Sequence, residues 1–148
     1  MNPMNSRLGS RQFLLLAVSL ALTALSGCGP SGPTIVKIEG TVTRNGQPLS
    51  GFEVHFDPEH GRPSVGKTDE RGHYVLDYTP QIKGAVAGKH KVYVWYFPTD
   101  PQNRIAQEAG KWKPPADIQA VLKKYGPEKT SLRYDIDKSQ TIDLKLDD

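Results

Sequence analysis

From Val36 onward, apolar residues recur at every second position, and turn-forming residues interrupt them about every ten residues, the pattern of short strands with one buried face. Val36, Ile38 and Val42 alternate with Lys37, Glu39, Thr41 and Thr43. Asn45-Gly46 then supplies a hairpin turn, since both residues tolerate positive φ. Phe52, Val54 and Phe56 alternate with Glu53, His55 and Asp57, and after a Pro58–Pro63 loop comes a short run over Val65–Thr68. Asp69-Glu70-Arg71-Gly72 reads as a tight turn in which the Asp69 carboxylate accepts backbone N–H groups. Tyr74, Leu76 and Tyr78, then the apolar stretch Lys89–Phe97, then Leu132, Tyr134 and Ile136, and last Ile142, Leu144 and Leu146 complete the series. Seven strands in this rhythm predict an all-β chain folded as a two-sheet antiparallel β-sandwich.

Residues 98–131 break the alternation. Pro98, Pro101, Pro114 and Pro115 bar a continuous element. Asp117–Tyr125 has the composition of a short helix ended by Gly126-Pro127, and Asn103–Ala109 suits another helical turn. Connections this long are uncommon and often functional.

The N-terminus follows a different pattern. Arg7 and Arg11 precede an apolar run, Phe13–Leu25, too short for a spanning helix, which needs about 20 residues. A basic segment, an apolar segment and a small-residue zone make a secretory signal. Leu25-Ser26-Gly27-Cys28 closes it and resembles the bacterial lipobox. That resemblance implies a signal peptide over residues 1–27, cleavage between Gly27 and Cys28, and a diacylglycerol thioether on Cys28. The other reading is an ordinary signal cut near Ala24 or Gly27, which leaves the chain's single cysteine unpaired; an odd cysteine in an exported protein is unusual. Two or more acyl chains hold a protein stably on a bilayer. Residues 28–34, rich in Gly and Pro, form a tether, of which Gly29–Thr34 reaches roughly 20 Å when extended, and residues 35–148 form one domain. By the resemblance to lipoproteins of two-membraned bacteria, Gly29 stands where the inner-membrane retention residue, Asp, would follow the lipidated Cys. The expected location is therefore the bacterial envelope, on the periplasmic side of the outer membrane or at the cell surface.

The signal also alters the charge. The chain carries 19 basic and 16 acidic residues, for +3; without Arg7 and Arg11 it has 17 against 16, or +1. No basic run exceeds two residues, so nothing marks a nucleic-acid partner.

The turns carry a second resemblance. I-E-G-T-V-T-R-N-G-Q-P-L-S-G at residues 38–51 and T-D-E-R-G-H-Y at residues 68–74 resemble the carboxypeptidase-regulatory-like, transthyretin-type domain. G-A-V-A-G-K-H-K-V at 84–92 and K-Y-G-P-E-K-T-S-L at 124–132 resemble its form in small planctomycete-type lipoproteins. The resemblance implies a seven-stranded prealbumin-type sandwich, into which the helix-bearing 98–131 connection is inserted before the last two strands by the residue pattern above. It implies no activity, because the motif residues are turn and packing residues. A transthyretin-like hydrolase of hydroxyisourate is similar in fold only: its C-terminal Tyr-Arg-Gly-Ser is absent here.

Candidate chemistry is sparse. His55, His60, His73 and His90 lack metal-ligand spacing, and His55 and His73 fall at outward strand positions. Asp69 and Glu70 supply too few oxygens for calcium. Gly84–Lys89 is one residue short of a phosphate loop, and no serine sits in a nucleophile elbow. No metal, cofactor or catalytic residue is expected. Tyr93, Trp95 and Phe97 share one face of the fifth strand, opposite Val92, Val94 and Tyr96. Trp112, between Lys111 and Lys113, is placed to cover the Tyr93 face. Either the 98–131 segment packs over that face, or Tyr93, Trp95, Phe97 and Trp112 are left to contact an envelope protein or a glycan. The chain is thus expected to be a lipid-anchored, non-catalytic envelope module, with carbohydrate binding as the alternative.

Overall fold

The computed structural model describes residues 32–147, so the signal segment and the Leu25–Cys28 motif, with Gly27 and Cys28, lie outside the described residues. Its elements are β1 Ile35–Val36, β2 Ile38–Arg44, β3 Gln47–Pro48, β4 Phe52–Pro58, β5 Ser64–Lys67, β6 His73–Val75, β7 Asp77–Thr79, β8 Ile82–Lys83, β9 Ala85–Val86 and β10 Gly88–Tyr96. After β10 come helices α1 Pro101–Glu108 and α2 Ala116–Tyr125, then β11 Arg133–Ile136, β12 Gln140–Thr141 and β13 Leu144–Lys145. The chain is predominantly β and mainly antiparallel, consistent with a sandwich. One six-stranded sheet runs β11-β10-β4-β5-β7-β8, and a second is built around β2, with β12 and β13 on one side and β3 and β6 on the other.

The period of two becomes the core directly. Ile38, Val42, Tyr74, Ile142, Leu144 and Leu146 face inward from the second sheet, and Phe52, Val54, Phe56, Val92, Val94 and Ile136 from the first. Every member of this core lies between Val36 and Leu146, within a compact unit spanning Pro33–Asp148. This unit therefore contains the whole apolar core needed to fold by itself.

Two expected strands are divided. Val36 belongs to β1, which pairs with β9, whereas Ile38–Arg44 forms the centre of the second sheet. The Tyr74–Tyr78 run changes sheets at Leu76: Val75 pairs with Glu39 of β2, while Asp77 pairs with Val65 of β5. The expected turns form, with Asn45 and Gly46 both at positive φ (49° and 76°) and Asp69 Oδ1 accepting from the N–H groups of Arg71 and His73, each at 2.9 Å.

The C-terminal run corrects the antiparallel expectation, because β12 and β13 pair parallel to β2. Backbone N–H groups of Gln140, Ile142 and Leu146 donate to Lys37, Glu39 and Thr43 carbonyls at 3.1, 2.8 and 2.7 Å. In return, Ser139 Oγ, Asp143 Oδ1 and Asp147 Oδ1 accept the N–H groups of Lys37, Thr41 and Asn45 at 3.0, 2.8 and 2.8 Å. Side chains four residues apart thus act as acceptors for β2.

Two of these carboxylates tie stability to pH. Hydrogen bonds from the Thr41 hydroxyl and N–H hold Asp143 below its ordinary pKa of 3.8, and backbone N–H groups of His73 and Arg71 do the same for Asp69. A carboxylate whose folded pKa is depressed contributes stability that is present above its unfolded value and lost as pH falls through the folded one. Thermal unfolding should therefore show Tm roughly level above the 3.8 reference value and falling below it. Asp143→Asn should flatten part of that fall; an unchanged acid slope would refute the coupling.

The connection holds two helices where one short helix and a single further turn were expected. Asp100 caps α1, its carboxylate accepting from the Asn103 N–H at 2.9 Å, with Pro101 opening the helix. Helix α2 carries Asp117 in its first turn and Lys123 and Lys124 in its last, which complements the helix dipole. Val121 and Tyr125, one turn apart, are buried, and Ile118 and Leu122 pack beside them. Helix α2 is anchored at its start by Arg44, which donates to the Asp117 carbonyl at 3.0 Å, and at its end by Tyr125 Oη, which donates to the Asp147 carbonyl at 2.7 Å.

Candidate functional site

Alternation along β4 and β10 gives the six-stranded sheet an outer face. Cross-strand neighbours on it are Glu53 with Trp95, His55 with Tyr93, and Asp57 with Lys91. On the far side of β10, Lys91 stands opposite Arg133 and Lys89 opposite Asp135. The face is thus charged where β10 begins and aromatic where it ends. Over the nine residues of β10 these two ends lie roughly 25 Å apart, at about 3.3 Å per residue.

In the middle, the His55 and Tyr93 rings stack at 4.7 Å with only 9° between their planes. Burial holds His55 below its ordinary pKa, against the opposing pull of Glu53 and Asp57, and the Glu53 carboxylate lies 3.3 Å from His55 Nε2. Burial also raises the Tyr93 phenol, and the Asp57 charge adds to the shift. Farther along, Trp95 meets Phe97 edge-on, with centroids 6.3 Å apart and planes at 64°. Trp95 is half-buried and borders a cleft of about 420 Å³ with Leu122, Lys123 and the Gly126–Lys129 turn, whereas Phe97 is 43% exposed.

Trp112 does not cover this face. It stacks on Tyr96 at 6.1 Å and 11°, and Tyr96 has the opposite phase to Tyr93 and Trp95. The chain around it explains the placement: Lys111 and Trp112 N–H groups both close on the Ala106 carbonyl, and Gln107 Nε2 donates to the Tyr96 carbonyl at 3.2 Å. Helix α1 and its C-terminal turn are thereby fixed against Tyr96. The 98–131 segment closes the Tyr96 side and borders Trp95 along one edge of β10, so that Tyr93 and Trp95 are half-buried and Phe97 is exposed on the outer face.

The charged end forms a cleft of about 520 Å³. Asp57, Glu59, Lys89, Lys91, Arg133 and Asp135 line it, three cations and three anions. Beneath it His90 is buried, with Nε2 2.7 Å from the Val86 carbonyl and its ring 5.7 Å from that of Phe56. The remaining histidines are dispersed: His60 and His73 are exposed on a loop and on β6. Among the described residues, no group of three or more His, Cys, Asp or Glu side chains is arranged to hold a metal ion.

Sequence reasoning located the aromatic row but missed the cleft. Asp57, Lys91 and Arg133 are far apart in the chain, and only the β4-β10-β11 register aligns them. Their outward phase was legible; their juxtaposition was not. No family model, curated protein or solved structure matches the chain.

Proposed function

We propose that the chain is a lipid-anchored, non-catalytic envelope module of the carboxypeptidase-regulatory-like, transthyretin type, which binds a protein partner through the outer face of its six-stranded sheet. The observation that carries this reading is the Trp95–Phe97 pair at the end of β10 away from the tether, with Phe97 exposed and Trp95 half-buried at the edge of a cleft. The tether enters at β1, where the Thr34 carbonyl accepts the Ala87 N–H at 2.8 Å, next to the start of β10. A lipid on Cys28 would hold that end at the bilayer and present the aromatic end outward. Aromatic side chains are enriched at the centres of protein interfaces, with polar residues confined to the rim.

Ring geometry favours a protein over a glycan. A sugar stacks on an open aromatic face, but one face of Tyr93 is covered by His55, Trp95 and Phe97 meet edge-on, and Trp112 belongs to the other side of the strand. Metabolic labelling with a palmitate analogue should mark the wild type and not Cys28→Ala; equal labelling refutes the anchor. A photocrosslinking amino acid at Phe97, in the native envelope, should yield a discrete protein adduct that Trp95→Ala weakens, with none at Lys145 on the opposite sheet. Equal adducts at both positions would refute the binding face, and an adduct destroyed by peptidoglycan digestion would make the ligand a glycan.

A further inference from the structure

We propose that the mixed-charge cleft at the tether end binds the headgroup of a zwitterionic phospholipid, phosphoethanolamine, from the bilayer that holds the chain. The proposal rests on the lipid anchor at Cys28. The cleft's charges are the first reason. Lys91 and Arg133, like charges, lie directly opposite each other on adjacent strands, and the row they share holds a single carboxylate, Asp57, on the other side of Lys91. Arg133 Nη1 is turned toward the Leu132 and Thr130 carbonyls of its own chain, at 2.8 and 3.3 Å. Among the described residues, no ion pair engages Lys89, Lys91 or Arg133, nor Asp57, Glu59 or Asp135. Both signs of charge are therefore interleaved across a cleft of about 520 Å³: Arg133, Lys91 and Asp57 in one cross-strand row, Asp135 and Lys89 in the next.

The carboxylates decide the class of ligand. A bare anion satisfies Lys91 and Arg133 but meets Asp57 across the strand from Lys91 and Asp135 across from Lys89. A ligand with a phosphate and a primary ammonium a few ångströms apart satisfies both sets, phosphate against Lys91 and Arg133, ammonium N–H groups against the carboxylates. Phosphocholine has the same charges but no N–H to donate, so the carboxylates discriminate against it.

Position supplies the source. The Thr34 carbonyl, at the end of the tether, is bonded to the Ala87 N–H, two residues before Lys89 in the cleft. Residues 29–34 reach roughly 20 Å at most, so a lipid on Cys28 would keep the start of β1, beside the cleft, within about that distance of the lipid surface. The headgroup is present there at high effective concentration, and weak intrinsic affinity suffices.

The test uses a chain beginning at Gly29, which keeps the whole core and omits the apolar signal. Amide shifts in its NMR spectrum are followed during titration with glycerophosphoethanolamine, glycerophosphocholine and inorganic phosphate. The expected result is saturable shifts confined to Asp57–Glu59, Lys89–Lys91 and Arg133–Asp135, with glycerophosphoethanolamine binding about tenfold more tightly than the other two. Lys91→Gln and Asp57→Asn, each removing one charge without placing like charges opposite each other, should each weaken it by about tenfold or more while Tm changes little. Absence of saturable shifts, shifts outside the cleft, or equal binding of inorganic phosphate would overturn the proposal. Palmitate labelling of Cys28 is read separately. Headgroup binding in a chain whose Cys28 takes no lipid would refute the anchor and the tethered supply, and would leave the cleft's chemistry standing.

Discussion

Gly40→Ala should destabilise the domain by about 3 kcal/mol or more, the upper range for forcing extra volume into a packed site. A Cβ at position 40 would stand 1.9 Å from the Ile142 carbonyl oxygen and 2.6 Å from its carbon. Those are backbone atoms and cannot rotate away. Relief requires the C-terminal strand to move off β2, which breaks the bond from Tyr74 Oη to the Ile142 carbonyl at 2.7 Å. It also breaks both bonds from Thr41 to Asp143, at 2.8 and 2.7 Å. Burial raises the Tyr74 phenol far above its ordinary pKa, so this side chain acts as a neutral donor and has no buried substitute for the lost acceptor. Denaturant unfolding should show the loss in midpoint, and hydrogen exchange should accelerate at the Ile142 and Leu146 N–H groups before the rest of the second sheet. Wild-type stability in Gly40→Ala would refute the parallel pairing of the last strand.

Phe56→Ala should cost about 3–5 kcal/mol, the range for emptying a buried aromatic site. Phe56 is fully buried, and its ring lies 6.5, 5.7 and 6.1 Å from those of Tyr74, His90 and Tyr134. It therefore joins β4 to β6, β10 and β11, and supports His90 beneath the charged cleft. Tm should fall by at least about 10 °C. Phe97→Ala is the matching control: at 43% exposure it should change stability by only about 0.5 kcal/mol. Similar losses in the two variants would mean that the outward phase assigned to the end of β10 is wrong.

What the sequence made legible follows from short-range rules. The period of two named the buried set, so Ile38, Val42, Phe52, Val54, Phe56, Val92 and Val94 were recognisable as core without any knowledge of which strands pair. Asn45-Gly46 and Asp69–Gly72 were readable because a turn is stabilised by its own residues. Helix α2 carried its start and stop within ten residues. The aromatic row was visible as a face because Tyr93, Trp95 and Phe97 share a phase.

Tertiary structure alone decided the rest. Strand direction is absent from a period-two pattern, since parallel and antiparallel strands with one buried face alternate alike. The parallel run after Ser139 was therefore hidden, although side-chain acceptors at Ser139, Asp143 and Asp147 left a trace of it. The placement of Trp112 depended on where the Pro-broken connection could satisfy its backbone bonds, at the Ala106 carbonyl and Tyr96. The charged cleft depended on register: a shift of one residue between β10 and β11 would take Lys91 away from Arg133 and turn one of them into the core. Residue phase is local and is written along the chain; pairing direction, register and the sites they assemble are set by long-range packing of one sheet on the other.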